Sequence, residues 1–186
     1  MKNLFLILLI TFCFSVSTDG IYDNSWAFIV GINEYDSPDI KNLSYAVNDA
    51  KSIEKLLITK YKFDSENVFT LTNKQATLSN IKSALFNIAT KVSSNDRLIV
   101  FFAGHGETMP TGDGGEIGYL IPYDGNLDNL YATCYSMQDL KQISSITKAK
   151  HVLFLMDACY GGLMHVERRG LVQPKSQGYI EKITKD

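Results

Sequence analysis

Apolar and polar positions alternate along this chain in two rhythms, one of strands and one of helices. Trp26 to Ile32 (Trp-Ala-Phe-Ile-Val-Gly-Ile) is a nearly unbroken apolar run, as expected of a strand covered on both faces. Ser44 to Lys60 places Ala46, Val47, Ala50, Ile53, Leu56 and Leu57 at helical spacing, which predicts an amphipathic helix with one buried stripe. Asn67 to Leu71 reads as a short second strand. Thr77 to Val92 predicts a second helix, with Leu78, Ile81, Leu85, Ile88 and Ala89 inward and Thr77 or Ser79 as its cap. Asp96 to Ala103 is the clearest strand of all. A Gly-rich polar stretch from Gly104 to Gly118 follows, and Tyr119 to Pro122 is expected in a hairpin at the rim. Ser136 to Ile146 predicts a third helix with Ser136 near its start, and His151 to Met156 a fourth strand. From Gly161 onward the chain is polar and shows no clear core element.

Strands that alternate with helices imply βαβ units, a mainly parallel sheet and helices on both faces. The 186 residues suffice for one domain with a real core. Apolar residues at 45% and charged residues at 20% argue against disorder. Eighteen Lys and Arg against twenty Asp and Glu leave a net charge of −2, so no nucleic-acid partner is expected. No stretch of about twenty apolar residues suggests a membrane span. Residues 1–17 read as a secretory signal peptide: Lys2, an apolar run from Leu4 to Phe14, then small residues at Ser15-Val16-Ser17. Export is therefore expected, with residues 18–186 as the folded domain. A buried first strand or helix is the competing reading of that segment.

In an open parallel sheet, function gathers beyond the carboxyl ends of the strands. Gly104-His105-Gly106 follows the third strand, and Asp157-Ala158-Cys159-Tyr160-Gly161-Gly162 follows the fourth. If these strands are neighbours, an imidazole and a thiol project into one crevice. A thiol with a pKa of about 8.5 is mostly protonated at neutral pH, and a neighbouring imidazole favours the nucleophilic thiolate. The flanking glycines permit sharp turns and leave backbone N–H groups, those of Gly106 and Cys159, to meet a developing oxyanion; one such donor is worth roughly 3 kcal/mol in other hydrolases. Against this stand an ordinary turn histidine, an inert buried cysteine, and a disulfide between Cys134 and Cys159.

Four elements make the pattern specific: Val30-Gly31-Ile32-Asn33-Glu34-Tyr35, Asn48-Asp49-Ala50, Phe102-Ala103-Gly104-His105-Gly106 and Asp157-Ala158-Cys159-Tyr160-Gly161-Gly162. With them, Trp26 to about Leu171 resembles the large-subunit region of the caspase-like cysteine peptidases, in the metacaspase and bacterial caspase-homologue branch. The resemblance implies an α/β, three-layer αβα sandwich and a catalytic dyad of His105 and Cys159. It also implies that Asp49 and Asp157 line a pocket for Arg or Lys, with peptide or protein as substrate. It lacks the Gln-Ala-Cys nucleophile element of the Asp-directed caspases. The family's last strands, its small subunit, are expected to be absent, truncated, or supplied by another chain or a second copy. That leaves a catalytically inactive binding or regulatory module as the alternative to an endopeptidase; clostripain-like or legumain-like enzymes fit the nucleophile element less well.

Some metacaspases bind calcium after the dyad histidine. Asp113, Glu116, Asp124 and Asp128 occupy that region but are scattered, so a solvated loop and no cofactor are expected. His165 is a rival base, His151 is expected to be structural, and Arg168-Arg169 is read as an exposed basic pair.

Overall fold

A computed structural model describes residues 20–158 of the chain. Its centre is a four-stranded parallel sheet in the order β2-β1-β3-β7, with β1 at Ser25–Gly31, β2 at Val68–Thr72, β3 at Arg97–Ala103 and β7 at His151–Asp157. All four were expected from the apolar runs, within a residue or so at each end. Side chains alternate between the faces of a strand, and two clusters result. Phe28 and Val30 of β1 and Leu98, Val100 and Phe102 of β3 face α2 (Leu78–Lys91) and α4 (Met137–Ile146). Ala27, Ile29, Phe101 and Ala103 face α1 (Ala46–Thr59). The chain is thus a three-layer αβα arrangement with a parallel sheet.

The helices begin where side chains answer their free N–H groups. Thr77 accepts from the Asn80 N–H at 3.2 Å and Ser136 from the Asp139 N–H at 3.0 Å, so of the two caps considered for α2 it is Thr77 that serves. At α1 the adjoining Tyr45 makes no such bond. Asn33, just beyond β1, supplies it instead, its Oδ1 accepting from the Val47 N–H at 3.1 Å. The helix is therefore tied to the exit of β1. Gly31 strengthens the tie, because a Cβ there would lie 2.5 Å from the Ala50 Cβ and 2.6 Å from the Ala46 carbonyl oxygen. Only glycine lets α1 sit this closely on the strand.

The stretch expected to be a Gly-rich loop holds structure of its own. β4 (Gly106–Pro110) and β5 (Glu116–Leu120) form an antiparallel hairpin, to which the two-residue β6 (Tyr135–Ser136) adds. A short helix, α3 (Leu130–Thr133), precedes β6. Tyr119 and Leu120 belong to this hairpin as expected, whereas β4 was not anticipated.

The sheet's bottom rim is held by a buried carboxylate. Asp96 is 1% exposed and accepts from the Asn24 N–H, the Asn24 amide, the Trp26 indole N–H and the Ser93 N–H, at 2.9 to 3.1 Å. Burial alone would raise its pKa, but these four donors outweigh burial and hold it below the ordinary carboxylate value.

Candidate active site

β1 leads by way of α1 to β2 on one side, while β3 lies on the other side of β1. The loops after β1 and β3 therefore part at the switch point where open sheets bind ligands. Ala103, the last residue of β3, is in register with Gly31 on β1 and Asp157 on β7. The Gly104 N–H continues the ladder to the Asp157 carbonyl at 3.2 Å. The condition set on the third and fourth predicted strands is met: β3 and β7 are neighbours, about 4.8 Å apart as in any sheet. His105 stands two residues past Ala103, and Cys159 two residues past Asp157 in the sequence. Cys159 lies outside the described residues, as do His165, Arg168-Arg169 and residues 1–17.

His105 is half-buried, and three contacts hold it. Its backbone N–H donates to the Tyr35 hydroxyl at 2.8 Å, and its carbonyl accepts from the Ile121 N–H at 3.0 Å. Its ring Nε2 lies 2.7 Å from the Lys41 carbonyl oxygen. A carbonyl can only accept, so Nε2 carries the proton and Nδ1 of the neutral ring keeps its lone pair. The Tyr35 ring stands beside the imidazole, centroids 5.2 Å apart and tilted by 38°. Sequence reasoning found His105 but named no third member of the site. The Lys41 oxygen is main chain, and every residue carries one, so no side-chain signal could have pointed to it.

Gly106 is buried and opens β4, opposite Leu120. In an antiparallel ladder, hydrogen-bonded and non-hydrogen-bonded pairs alternate. The Ile121 to His105 bond makes that pair the bonded one, so the Gly106 N–H points away from β5.

Asp157 ends β7 and Asp49 lies in the first turn of α1; both are exposed among the described residues. The sheet brings both elements to one rim, since Gly31 packs on Ala46 and Ala50 while its register partner Ala103 is level with Asp157.

The remaining sequence candidates take structural places. His151 sits at the opposite end of β7, with Nδ1 3.0 Å from the Tyr22 hydroxyl. Cys134 is a buried free thiol whose pKa burial pushes up. Asp113 accepts from the Thr111 hydroxyl and the Gly115 N–H in the β4–β5 turn, and Asp124 accepts from the Leu78 N–H at the start of α2. Glu116 and Asp128 are exposed. Among the described residues, no three His, Cys, Asp or Glu gather as a metal-binding group, and no helix is long and apolar enough to cross a membrane.

Comparison with known proteins fits this geometry. The family model described as Caspase domain matches residues 24–185. Metacaspase-4 of Arabidopsis thaliana is 30% identical over 147 residues, covering 73% of this chain and 33% of that protein. Metacaspase-1 of Eremothecium gossypii is 27% identical over 154 residues, covering 75% of this chain and 32% of that protein. The chain thus spans about a third of the length of these curated relatives. Among solved structures, protein GSU0716 from Geobacter sulfurreducens shares the fold, with a TM-score of 0.62 at 21% identity over 75% of this chain and 52% of that one.

Proposed function

The chain belongs to the caspase-domain family, and on that premise we propose that it is a cysteine endopeptidase cleaving after Arg or Lys by a dyad of His105 and Cys159. The observation that carries this reading is the Lys41 carbonyl on Nε2 of His105, which leaves Nδ1 as the ring's base at the exit of β3. Nδ1 takes the proton of the Cys159 thiol, and the thiolate attacks the carbonyl carbon of the scissile bond. The N–H groups of Gly106 and Cys159 hold the oxyanion. As the imidazolium forms, its Nε2–H keeps the Lys41 oxygen as partner. It then protonates the leaving amine from Nδ1, and water, activated by the same nitrogen, hydrolyses the thioester.

Asp157 and Asp49 select the cation before the scissile bond. Their attraction for a guanidinium or ammonium grows once a bound peptide displaces water from the rim. Asp113 and Asp124 serve a turn and a helix start, and turnover is expected to survive chelation. Residues 1–17 direct export.

A panel of peptides with Arg, Lys or Asp before the cleaved bond tests the proposal, using wild type, Cys159→Ala and His105→Ala. Undiminished turnover in either variant sinks the dyad. Preference for Asp over Arg sinks only the pocket assignment.

One observation favours a second reading. Among the described residues the outer edge of β7 pairs with no strand, and Leu153 and Leu155 are exposed beside it. Such a rim suits a non-catalytic module that retains the fold and binds a partner. Stoichiometric labelling of Cys159 by an Arg-type thiol-directed inhibitor, lost in His105→Ala, excludes an inactive site.

A further inference from the structure

Two of the three contacts on His105 come from one loop, the stretch joining β1 to α1, and one of those two is a side chain. Tyr35 is 8% exposed, and its hydroxyl takes the His105 backbone N–H at 2.8 Å. In a regular hairpin the pair of His105 and Ile121 would exchange two bonds. Here Ile121 donates to His105, while the His105 N–H turns to the phenol instead. The approach is close: a Cβ on Gly104 would stand 3.1 Å from the Tyr35 oxygen and 2.9 Å from the Phe102 ring. The turn after β3 thus rests on the phenol.

The loop carrying Tyr35 is itself tied down. The Asn33 and Glu34 N–H groups donate to Asn73 Oδ1 at 2.8 and 3.3 Å, and the Asp36 N–H to the Tyr123 carbonyl at 2.9 Å. The Leu43 N–H donates back to the Asn33 carbonyl at 2.8 Å, closing the loop around Ile40, which is buried, and Lys41. The Tyr35 hydroxyl and the Lys41 carbonyl therefore grip the backbone and the ring of one histidine from one fixed support.

We propose that Tyr35 is the positioning residue of the dyad base: its hydroxyl fixes the His105 backbone, its ring fixes the imidazole's tilt, and together they aim Nδ1 at the thiol. This rests on the dyad reading above. Tyr35 touches no substrate; it acts through His105. Burial keeps its hydroxyl a neutral phenol, well above its ordinary pKa. The hydroxyl matters as well as the ring, because Phe keeps the packing and removes the acceptor.

The test uses the full chain with ¹⁵N-labelled histidine, comparing wild type, Tyr35→Phe and Gly104→Ala. Gly104→Ala drives the turn off the phenol from the other side, and serves if Tyr35→Phe fails to fold. Three readouts are taken: kcat and KM on an Arg peptide, the pH profile of Cys159 alkylation by iodoacetamide, and the His105 ring spectrum of the resting protein. Both variants are expected to lose about tenfold in kcat, with KM within about twofold, because the base is misaimed while the substrate rim is untouched. Alkylation at neutral pH falls in parallel, and the His105 ring signals shift as the ring loses its fixed placement against the Lys41 carbonyl. Wild-type kcat, alkylation profile and ring spectrum in a folded Tyr35→Phe would overturn the proposal. Should alkylation prove independent of His105 even in wild type, the dyad reading fails, and the ring spectrum, which needs no activity, decides the role of Tyr35: altered in support, unaltered against.

Discussion

The main-chain oxygen of Lys41 lies 2.7 Å from Nε2 of His105, so a loop leaving β1 sets the protonation of a ring leaving β3. Hydrogen-bond partners choose a tautomer because a carbonyl accepts and never donates. The neutral ring of His105 is therefore expected to carry its proton on Nε2. Long-range ¹⁵N–¹H correlation spectra of the ring check this directly, and an Nδ1–H form would leave Nδ1 unable to accept the thiol proton.

The two acidic residues of the rim are not equivalent. Asp157 is placed by strand register beside Ala103, whereas Asp49 lies in another layer, on α1, one residue before the Ala50 that packs on Gly31. Asp157→Asn is expected to lower kcat/KM for an Arg peptide on the order of 10–100-fold, and Asp49→Asn by less. Steady-state kinetics on matched Arg and uncharged peptides separate the two. Equal losses on both peptides would deny the pocket role.

Gly31→Ala forces a methyl group into backbone and a short side chain, neither of which can swing aside. Overpacking of this kind costs about 1–3 kcal/mol. For a chain of this size, each kcal/mol corresponds to about 2–4 °C in Tm. Thermal unfolding of the variant should show that loss, and an unchanged Tm would mean that α1 does not rest on Gly31.

Asp96 links stability to pH. Its folded pKa lies below the unfolded one, so its contribution is full above the unfolded value of 3.8 and drains away as pH falls through the lower folded value. Asp96→Asn turns one acceptor into a donor facing N–H groups and is expected to cost about 2–3 kcal/mol at neutral pH. Urea midpoints measured from pH 7 down to pH 2 should show the gap between variant and wild type closing at the acid end. A gap that stays constant would assign the cost to packing.

Among the described residues, no strand pairs with the outer rim of β7. Its sequence, His-Val-Leu-Phe-Leu-Met-Asp, has no Lys, Pro or bulge along the outer edge, and Leu153 is 50% exposed. Strand edges of this kind pair with other chains. Self-association that rises with concentration is expected by sedimentation, and Leu153→Lys with Leu155→Lys should suppress it. A wild-type chain that stays monomeric at high concentration would show the rim to be covered.

Much of this molecule can be read from its residues alone, because burial on both faces of a central strand writes a continuous apolar run. That is why β1 and β3, and the position of His105 at a strand exit, were legible; β7 carries the same kind of apolar run, so Asp157 at its exit was legible too, although one of its faces is open. Capping chemistry was legible at Thr77 and Ser136 for the same local reason. β4 was not, since it begins with Gly106, carries a buried Glu107 and ends in Pro110, and owes its pairing to β5 rather than to a hydrophobic pattern. Asp96 and Tyr35 were visible only as members of a strand start and a motif; their work depends on partners about seventy positions away in sequence. Which side chains stand at the rim of the sheet follows from the order of residues, because apolar runs end where the strands do. Tertiary structure alone decided which nitrogen of His105 holds a proton, because the deciding group, the Lys41 carbonyl, is part of the backbone and acquires a role only through where the loop folds.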